Sequence, residues 1–265
     1  MKTLSVNGVR VATVDRGGGL PILLVHGFPL DHTMWDAQVE VLSGRFRVIA
    51  PDLRGFGQSG VAAGTVTMDQ FADDLAALVD ALGMHERVVL CGLSMGGYIA
   101  FAFCRKYAAR LRGLVLCDTR ATADTPEAAA GRWETAQRVL REGTAPLADT
   151  MLPKLLAPAT LAKRPAIVAA LRKMILASDP RGIAAALRGM AERPDSTPLL
   201  AQIAFPTLVL VGQEDALSPP EQMQALARQI PDARFVVIPG AGHLPPVEQP
   251  AETTAAIEGF LAAIA

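Results

Sequence analysis

Residues 91–98 read "CGLSMGGY", one serine among three glycines. Gly92, Ser94 and Gly96 fit the spacing G-x-S-x-G, after the apolar run "RVVL" and before the helix-like run "GGYIAFAFCRKYA". Between a strand and a helix, this spacing forces a sharp turn that strains the serine backbone and exposes its hydroxyl. Side chains two residues to either side would collide, so both positions are glycine. Gly97 lets the new helix pack close to a neighbouring element. The start of that helix also brings the positive end of its dipole to the serine. The chemistry such a turn serves is nucleophilic attack.

A serine hydroxyl is a weak nucleophile and needs a base. The chain has four histidines, His26, His32, His85 and His243. His243 lies in "PGAGHLPPVEQP", a Gly/Pro-rich loop after the last apolar strand-like run, where an imidazole can reach over a sheet edge. His26, inside "VHGFPL", reads as a support for that turn. His32 falls at or near a helix start, and His85 follows a helix and reads as a surface residue. His243 is therefore the candidate base. A base needs an orienting carboxylate. Asp215 in "VGQEDALSPP" is the stronger candidate, because it sits deeper in its loop than Glu214. Asp118 in "LCDTRA" is the alternative, also just past a strand end. Acyl chemistry further needs backbone N–H donors for a developing oxyanion. Met95, directly after the serine, offers one; Phe28, in the loop after "PILLVHG", is the candidate for the second.

These residues need a scaffold, and the chain alternates strand-like and helix-like runs. "LSVNGVRVATV" reads as a hairpin turning at Asn7-Gly8. "PILLVHG", "FRVIAPD", "RVVLCG", "LRGLVLCD", "PTLVLVGQ" and "RFVVIPG" read as strands. Helices are expected around "HTMWDAQVEVLSG", "TMDQFADDLAALVDALG", "GGYIAFAFCRKYA", "PPEQMQALARQI" and "AETTAAIEGFLAAIA". Alternation of this kind makes a mostly parallel sheet with helices on both faces, whose ligands sit at the carboxyl ends of the strands. The Gly-rich punctuation falls at those ends. Residues 121–199 break the alternation. They read as helices "TPEAAAGRWETAQRVLREG", "TAPLADTMLPKLL", "LAKRPAIVAALRKMILAS" and "PRGIAAALRGMAE", a helical insertion over the sheet edge.

The blocks "HGFPLDHTMWDAQ", "APDLRGFGQS", "GLSMGGY", "GQEDALSPP" and "GAGHLPPVEQP" resemble, in this order, those of the α/β-hydrolase superfamily over nearly the whole chain. Within it the chain is most similar to small bacterial carboxylesterases, and next to enol-lactonases and cofactor-free haloperoxidases, or perhydrolases. The resemblance implies the α/β-hydrolase fold, with a mostly parallel eight-stranded sheet flanked by helices. It implies a core of residues 1–120 and 200–265, with a helical cap over 121–199. It also implies a triad of Ser94, Asp215 and His243 with Phe28 and Met95 as oxyanion donors, acting on carboxylic esters of small to medium acyl chain. The perhydrolases it resembles carry a proline directly after the oxyanion residue, as Pro29 follows Phe28 here. Dehalogenases and epoxide hydrolases of the superfamily use an aspartate where this chain has Ser94. A non-catalytic binding protein on the same fold is the rival reading, disfavoured because no triad member is missing.

Composition narrows the partners. Of 265 residues, 51% are hydrophobic and 19% charged, and the formal net charge is −1. That gives no electrostatic footprint for nucleic acid or an anionic membrane. The expected partner is a small-molecule ester, and homo-oligomerisation is left open. No metal and no cofactor are expected: there is no HExxH, no Walker sequence and no G-x-G-x-x-G after a strand. "RGGGLP" reads as a turn, and "DLRGFGQS" as a strand-to-helix turn beside the site. The start "MKTLSVNGVRVATVDRGGG" has no long apolar run, so no secretory leader is expected. Cys91, Cys104 and Cys117 read as buried thiols of a reducing compartment, the cytoplasm. In the insertion, Met151, Leu152, Leu155, Leu156, Met174, Ile175, Leu187 and Met190 suggest a packed helical layer more than a pocket. Arg132, Lys154, Arg172, Lys173 and Arg188 could receive a carboxylate but are explained more simply as solvated faces.

Overall fold

The apolar runs become strands because their branched side chains pack on a pleated surface from both sides. The computed structural model describes residues 1–61 and 63–265. It contains β1 (Lys2–Val6), β2 (Val9–Arg16), β3 (Pro21–Val25), β4 (Arg47–Pro51), β5 (Val88–Leu93), β6 (Leu111–Cys117), β7 (Thr207–Gly212) and β8 (Ala233–Ile238). They form one eight-stranded sheet in the order β1-β2-β4-β3-β5-β6-β7-β8. β2 runs against both neighbours, and the remaining pairs are parallel. The β1–β2 hairpin turns at Asn7 and Gly8, both at positive φ. Every residue of the central strands β3, β5 and β7 is buried, the mark of strands covered on both faces.

Between strands lie α1 (Asp36–Leu42), α2 (Met68–Ala81), α3 (Met95–Tyr107), α4 (Pro126–Glu142), α5 (Ala145–Leu155), α6 (Pro158–Lys163), α7 (Pro165–Ala177), α8 (Pro180–Ala191), α9 (Thr197–Leu200), α10 (Pro220–Ala227), α11 (Pro245–Glu248) and α12 (Pro250–Ile264). Side chains of β5 divide between two cores. Val88 and Leu90 join Phe71 and Phe103 on one face; Val89, Cys91 and Leu93 join Trp35 and Phe260 on the other. Helices α4 to α9 all fall between β6 and β7. The stretch "LAKRPAIVAALRKMILAS", expected as one helix, is divided. Arg164 leaves helical geometry at φ −125°, ψ 61°, because the ring of Pro165 disfavours the helical region for the residue before it.

The strand order sets the position of the site. The chain moves from β3 outward to β4 and then back across to β5, so the loops after β3 and β5 leave the sheet side by side and in opposite directions. A crevice for ligand opens at such a switch point. Among the described residues, no helix is long and apolar enough to cross a membrane.

Candidate active site

Ser94 joins β5 to α3 at φ 55°, ψ −111°, a region that costs a non-glycine residue about 1–3 kcal/mol. The surroundings hold it there. Its N–H donates to Cys117 O at 2.9 Å, and its carbonyl accepts from Thr119 Oγ1 at 2.8 Å and from Gly97 N at 2.9 Å. The glycines are needed, although not both for the expected reason. A Cβ on residue 92 would lie 2.2 Å from Gly96 O, a collision across the turn. A Cβ on residue 96 would lie 2.4 Å from Val25 O. The second collision is with the neighbouring strand, so Gly96 lets α3 start directly against the backbone of β3.

His243, 2% exposed, follows β8, and its Nδ1 lies 2.8 Å from Asp215 Oδ2. Asp215 follows β7, and its other oxygen accepts Leu217 N at 2.7 Å and Ser218 N at 3.1 Å. An ionised carboxylate only accepts, so the imidazole proton sits on Nδ1 and Nε2 is left as an acceptor. Burial pushes the Asp215 carboxyl upward. The charge of His243 and the hydrogen bonds outweigh it, and its pKa lies below the usual carboxylate value. Glu214 is exposed. Asp118, at the end of β6, is fully buried, and its carboxyl, the Asp215 carboxyl and the His243 ring each place an atom within 4.8 Å of the others. Of the three acids considered from sequence, Asp118 and Asp215 come to His243, and the hydrogen bond goes to Asp215.

The loop after β3 reaches the serine. A Cβ on Gly27 would lie 3.5 Å from Ser94 Cβ. Phe28 is buried, edge-on to Phe56, with centroids 6.2 Å apart. Met95 is also buried, and its N–H lies in the first turn of α3, where no helical acceptor precedes it.

Sequence reasoning missed two supports of this region. Glu248 is fully buried and accepts Gly242 N on Oε1 and Ala157 N on Oε2, both at 2.8 Å. His243 N donates to Leu155 O at 3.0 Å. The histidine loop is thus joined to the segment between α5 and α6. The signal was a lone glutamate between prolines in "PPVEQP", too common to single out. The second is Asp52, also fully buried. Its Oδ1 accepts His32 N at 3.0 Å and lies 2.6 Å from His32 Nδ1, while Oδ2 accepts Gln58 N at 2.8 Å. His26 accepts Leu53 N on Nε2 at 3.0 Å, so it supports the "DLRGFGQS" loop as well as its own turn.

Burial opposes charge on both His32 and Asp52, yet their pairing raises the His32 pKa and lowers that of Asp52. The Asp52 contribution to stability is present above the unfolded carboxylate value and lost as pH falls through its lower folded value. The His32 contribution is present below the unfolded imidazole value and lost as pH rises through its raised folded value. Wild type should therefore exceed Asp52→Asn in stability most clearly between roughly pH 4 and 6.5. Denaturant midpoints across pH check this; a stability difference that does not vary with pH would remove the ion pair from the account.

In the insertion, Arg132 pairs with Asp124, Arg172 pairs with Asp149, and Arg188 lies over Trp133. Lys154 and Lys173 are exposed. The buried cation there is one not singled out from sequence: Arg193 bonds Asp124 at 2.8 Å and stacks 4.1 Å from the Tyr98 ring of α3.

A family model described as the alpha/beta hydrolase fold matches residues 21–250. The chain belongs to the α/β-hydrolase family. This hydrolase is 55% identical to a thermophilic esterase from Thermogutta terrifontis solved with malate bound. The TM-score is 0.97, over 99% of this chain and 98% of that one. It is 31% identical to the enol-lactonase of Burkholderia xenovorans LB400, with TM-score 0.92 over 98% and 100%. Haloalkane dehalogenase 2 of Mycobacterium tuberculosis is 34% identical over 267 residues, 94% of this chain and 90% of that protein. Proteins named for three reactions resemble the hydrolase along most of their lengths. The fold does not choose among them, and the reaction has to be argued from the site.

Proposed function

We propose that this hydrolase cleaves carboxylic esters of small to medium acyl chain through an acyl-enzyme on Ser94. The observation that carries the reading is a strained serine on the β5–α3 turn, in a fold that also presents a buried His243–Asp215 pair bonded at 2.8 Å. In this reading His243 Nε2 takes the Ser94 hydroxyl proton as Oγ attacks the ester carbonyl carbon. The oxyanion that forms accepts the N–H groups of Phe28 and Met95. The carbon–oxygen bond to the alcohol then breaks, and His243 returns the proton to the departing alkoxide. Water, activated in the same way, releases the acid and restores the serine. Asp215 holds the imidazole tautomer and stabilises the imidazolium. No metal or other cofactor takes part in these steps.

A lactone is a cyclic ester, so an enol-lactonase would use the same steps on a ring. The reading assigns residues 121–199 as a cap over a core of 1–120 and 200–265. It places the protein in the cytoplasm, in keeping with three free, buried cysteines. The test is a series of p-nitrophenyl esters of rising acyl length run beside lactones. Turnover should fall beyond medium chains. Lactones turned over well ahead of every open ester would move the assignment to a lactonase, and no turnover of any substrate would leave a binding protein.

Pro29 supports a side activity. It has no N–H and fixes its own φ, and Leu30 N closes the turn onto Gly27 O at 3.0 Å. In this reading the turn constrains the Phe28 carbonyl, which accepts from a hydroperoxide attacking the acyl-enzyme. Peracid should form from a short ester and hydrogen peroxide, and Pro29→Leu should lower the ratio of perhydrolysis to hydrolysis. Halide oxidation measures the peracid; an unchanged ratio would leave Pro29 a purely structural part.

A further inference from the structure

Asp118 stands beside His243 and has no part in the steps above. Its Oδ1 accepts Gly212 N at 2.8 Å. Its Oδ2 is buried and, among the described residues, meets no hydrogen-bond partner. Its backbone is fixed at φ 46°, with Asp118 N donating to Leu210 O at 3.0 Å. Asp118 is 0% exposed, so neither of its oxygens reaches solvent. Two carboxyls within 4.8 Å of one another in a dry space do not both ionise.

The donors decide which one keeps the proton. Asp215 receives hydrogen bonds from Leu217 N, Ser218 N and His243 Nδ1; Asp118 receives the one from Gly212 N. Each donor stabilises the anion it meets, so the charge belongs on Asp215 and the proton on Asp118. Burial, and then the charge of Asp215, push the Asp118 pKa well above the usual carboxylate range.

We propose that Asp118 is a neutral carboxylic acid held in reserve beside His243, which ionises and supports the imidazolium when Asp215 loses its charge. The inference rests on the reading of Ser94, His243 and Asp215 given above. The charge balance is simple. In the native protein the two carboxyls share one proton and one negative charge. Asp215→Asn removes the charge and with it the repulsion that held the proton on Asp118. Asp118 then releases that proton to solvent, and a single negative charge again lies a few ångströms from the imidazole. Asp118 acts through His243 and does not touch substrate, so it is a positioning residue.

The test uses purified wild type, Asp118→Asn, Asp215→Asn and the double variant. It reads kcat on a p-nitrophenyl ester and the infrared C=O stretch of protonated carboxyl groups. Asp118→Asn should lower kcat by no more than about 10-fold and erase one protonated-carboxyl band present in wild type. Asp215→Asn should lose about 100-fold and lose the same band. The double variant should lose about 10⁴-fold, the scale seen when a triad histidine is left with a neutral partner. A double variant no slower than Asp215→Asn overturns the proposal, as does a wild-type spectrum from which Asp118→Asn removes no band. The infrared comparison needs only wild type and Asp118→Asn. It decides whether Asp118 is the protonated member even where an Asp215→Asn chain does not fold, and equally if wild type hydrolyses no ester, a result that would overturn the catalytic reading alone.

Discussion

Ser94→Ala should lower kcat for ester hydrolysis by about 10⁶-fold, and His243→Ala by a similar factor. The variant lacking both should be no worse than either. Nucleophile and base act as a unit: without the base the hydroxyl keeps its proton, and without the hydroxyl the base has nothing to activate. A residual rate of about 10³-fold or more over water should survive in all three, from substrate binding and the Phe28 and Met95 N–H donors. Ser94→Ala keeps the Cβ and with it the backbone strain, and the serine side chain caps no helix N–H, so the stability of the fold should change little. The measurements are kcat on a short p-nitrophenyl ester and stoichiometric labelling by a phosphonate. Near-normal turnover in Ser94→Ala, or label on any other residue, would refute the assignment of the nucleophile.

Gly96→Ala should damage both the fold and the site. Its Cβ would sit 2.4 Å from Val25 O and 3.1 Å from His26 O. Both are backbone atoms of β3 and its loop, and neither can rotate away as a side chain would. The start of α3 must lift off β3, at a cost of about 3 kcal/mol or more, the upper end for overpacking. In a chain of this size that corresponds to roughly 6–12 °C in Tm. Activity should fall as well, because Ser94 moves with the start of the helix and about 1 Å of misplacement costs about 100-fold. Gly131→Ala is the internal comparison. That position lies in α4 with no atom within 4 Å of the added carbon, so alanine should stabilise by about 0.5–1 kcal/mol. Chemical denaturation of the two variants separates them; equal midpoints would show that β3 yields easily to α3.

What the sequence made legible was local. The strand runs are continuous because both faces of β3, β5 and β7 are covered. The turn at Ser94 announced itself because its glycines lie within four residues of one another. The acid could not be settled in the same way. Asp118, Glu214 and Asp215 all follow strand ends, and the choice depends on side-chain direction and on burial, which differs fully between adjacent Glu214 and Asp215. Asp52 and His32 are 20 residues apart, and Glu248 lies 91 residues from Ala157. No spacing rule joins such partners, because the contact exists only once the sheet order has been set. Likewise the collision that excludes a side chain at residue 96 is with a strand about 70 residues earlier in the chain, although the turn alone was enough to suggest a glycine there.

The Glu248 carboxylate bears on how freely the segment between β6 and β7 can be exchanged among relatives. A grafted helical segment would have to supply more than an apolar underside. It would need a backbone carbonyl where Leu155 meets His243 N and an N–H where Ala157 meets Glu248 Oε2. It would also have to bring its backbone as close to Gly242 as Ala157 does, an approach that a Cβ on residue 242, 2.5 Å from Ala157 N, would block. A graft without that N–H would leave the buried Glu248 Oε2 unpartnered, at a desolvation cost of several kcal/mol. Chimeras in this family should therefore succeed or fail at three backbone positions of the donor segment, and the identity of its helices should matter less.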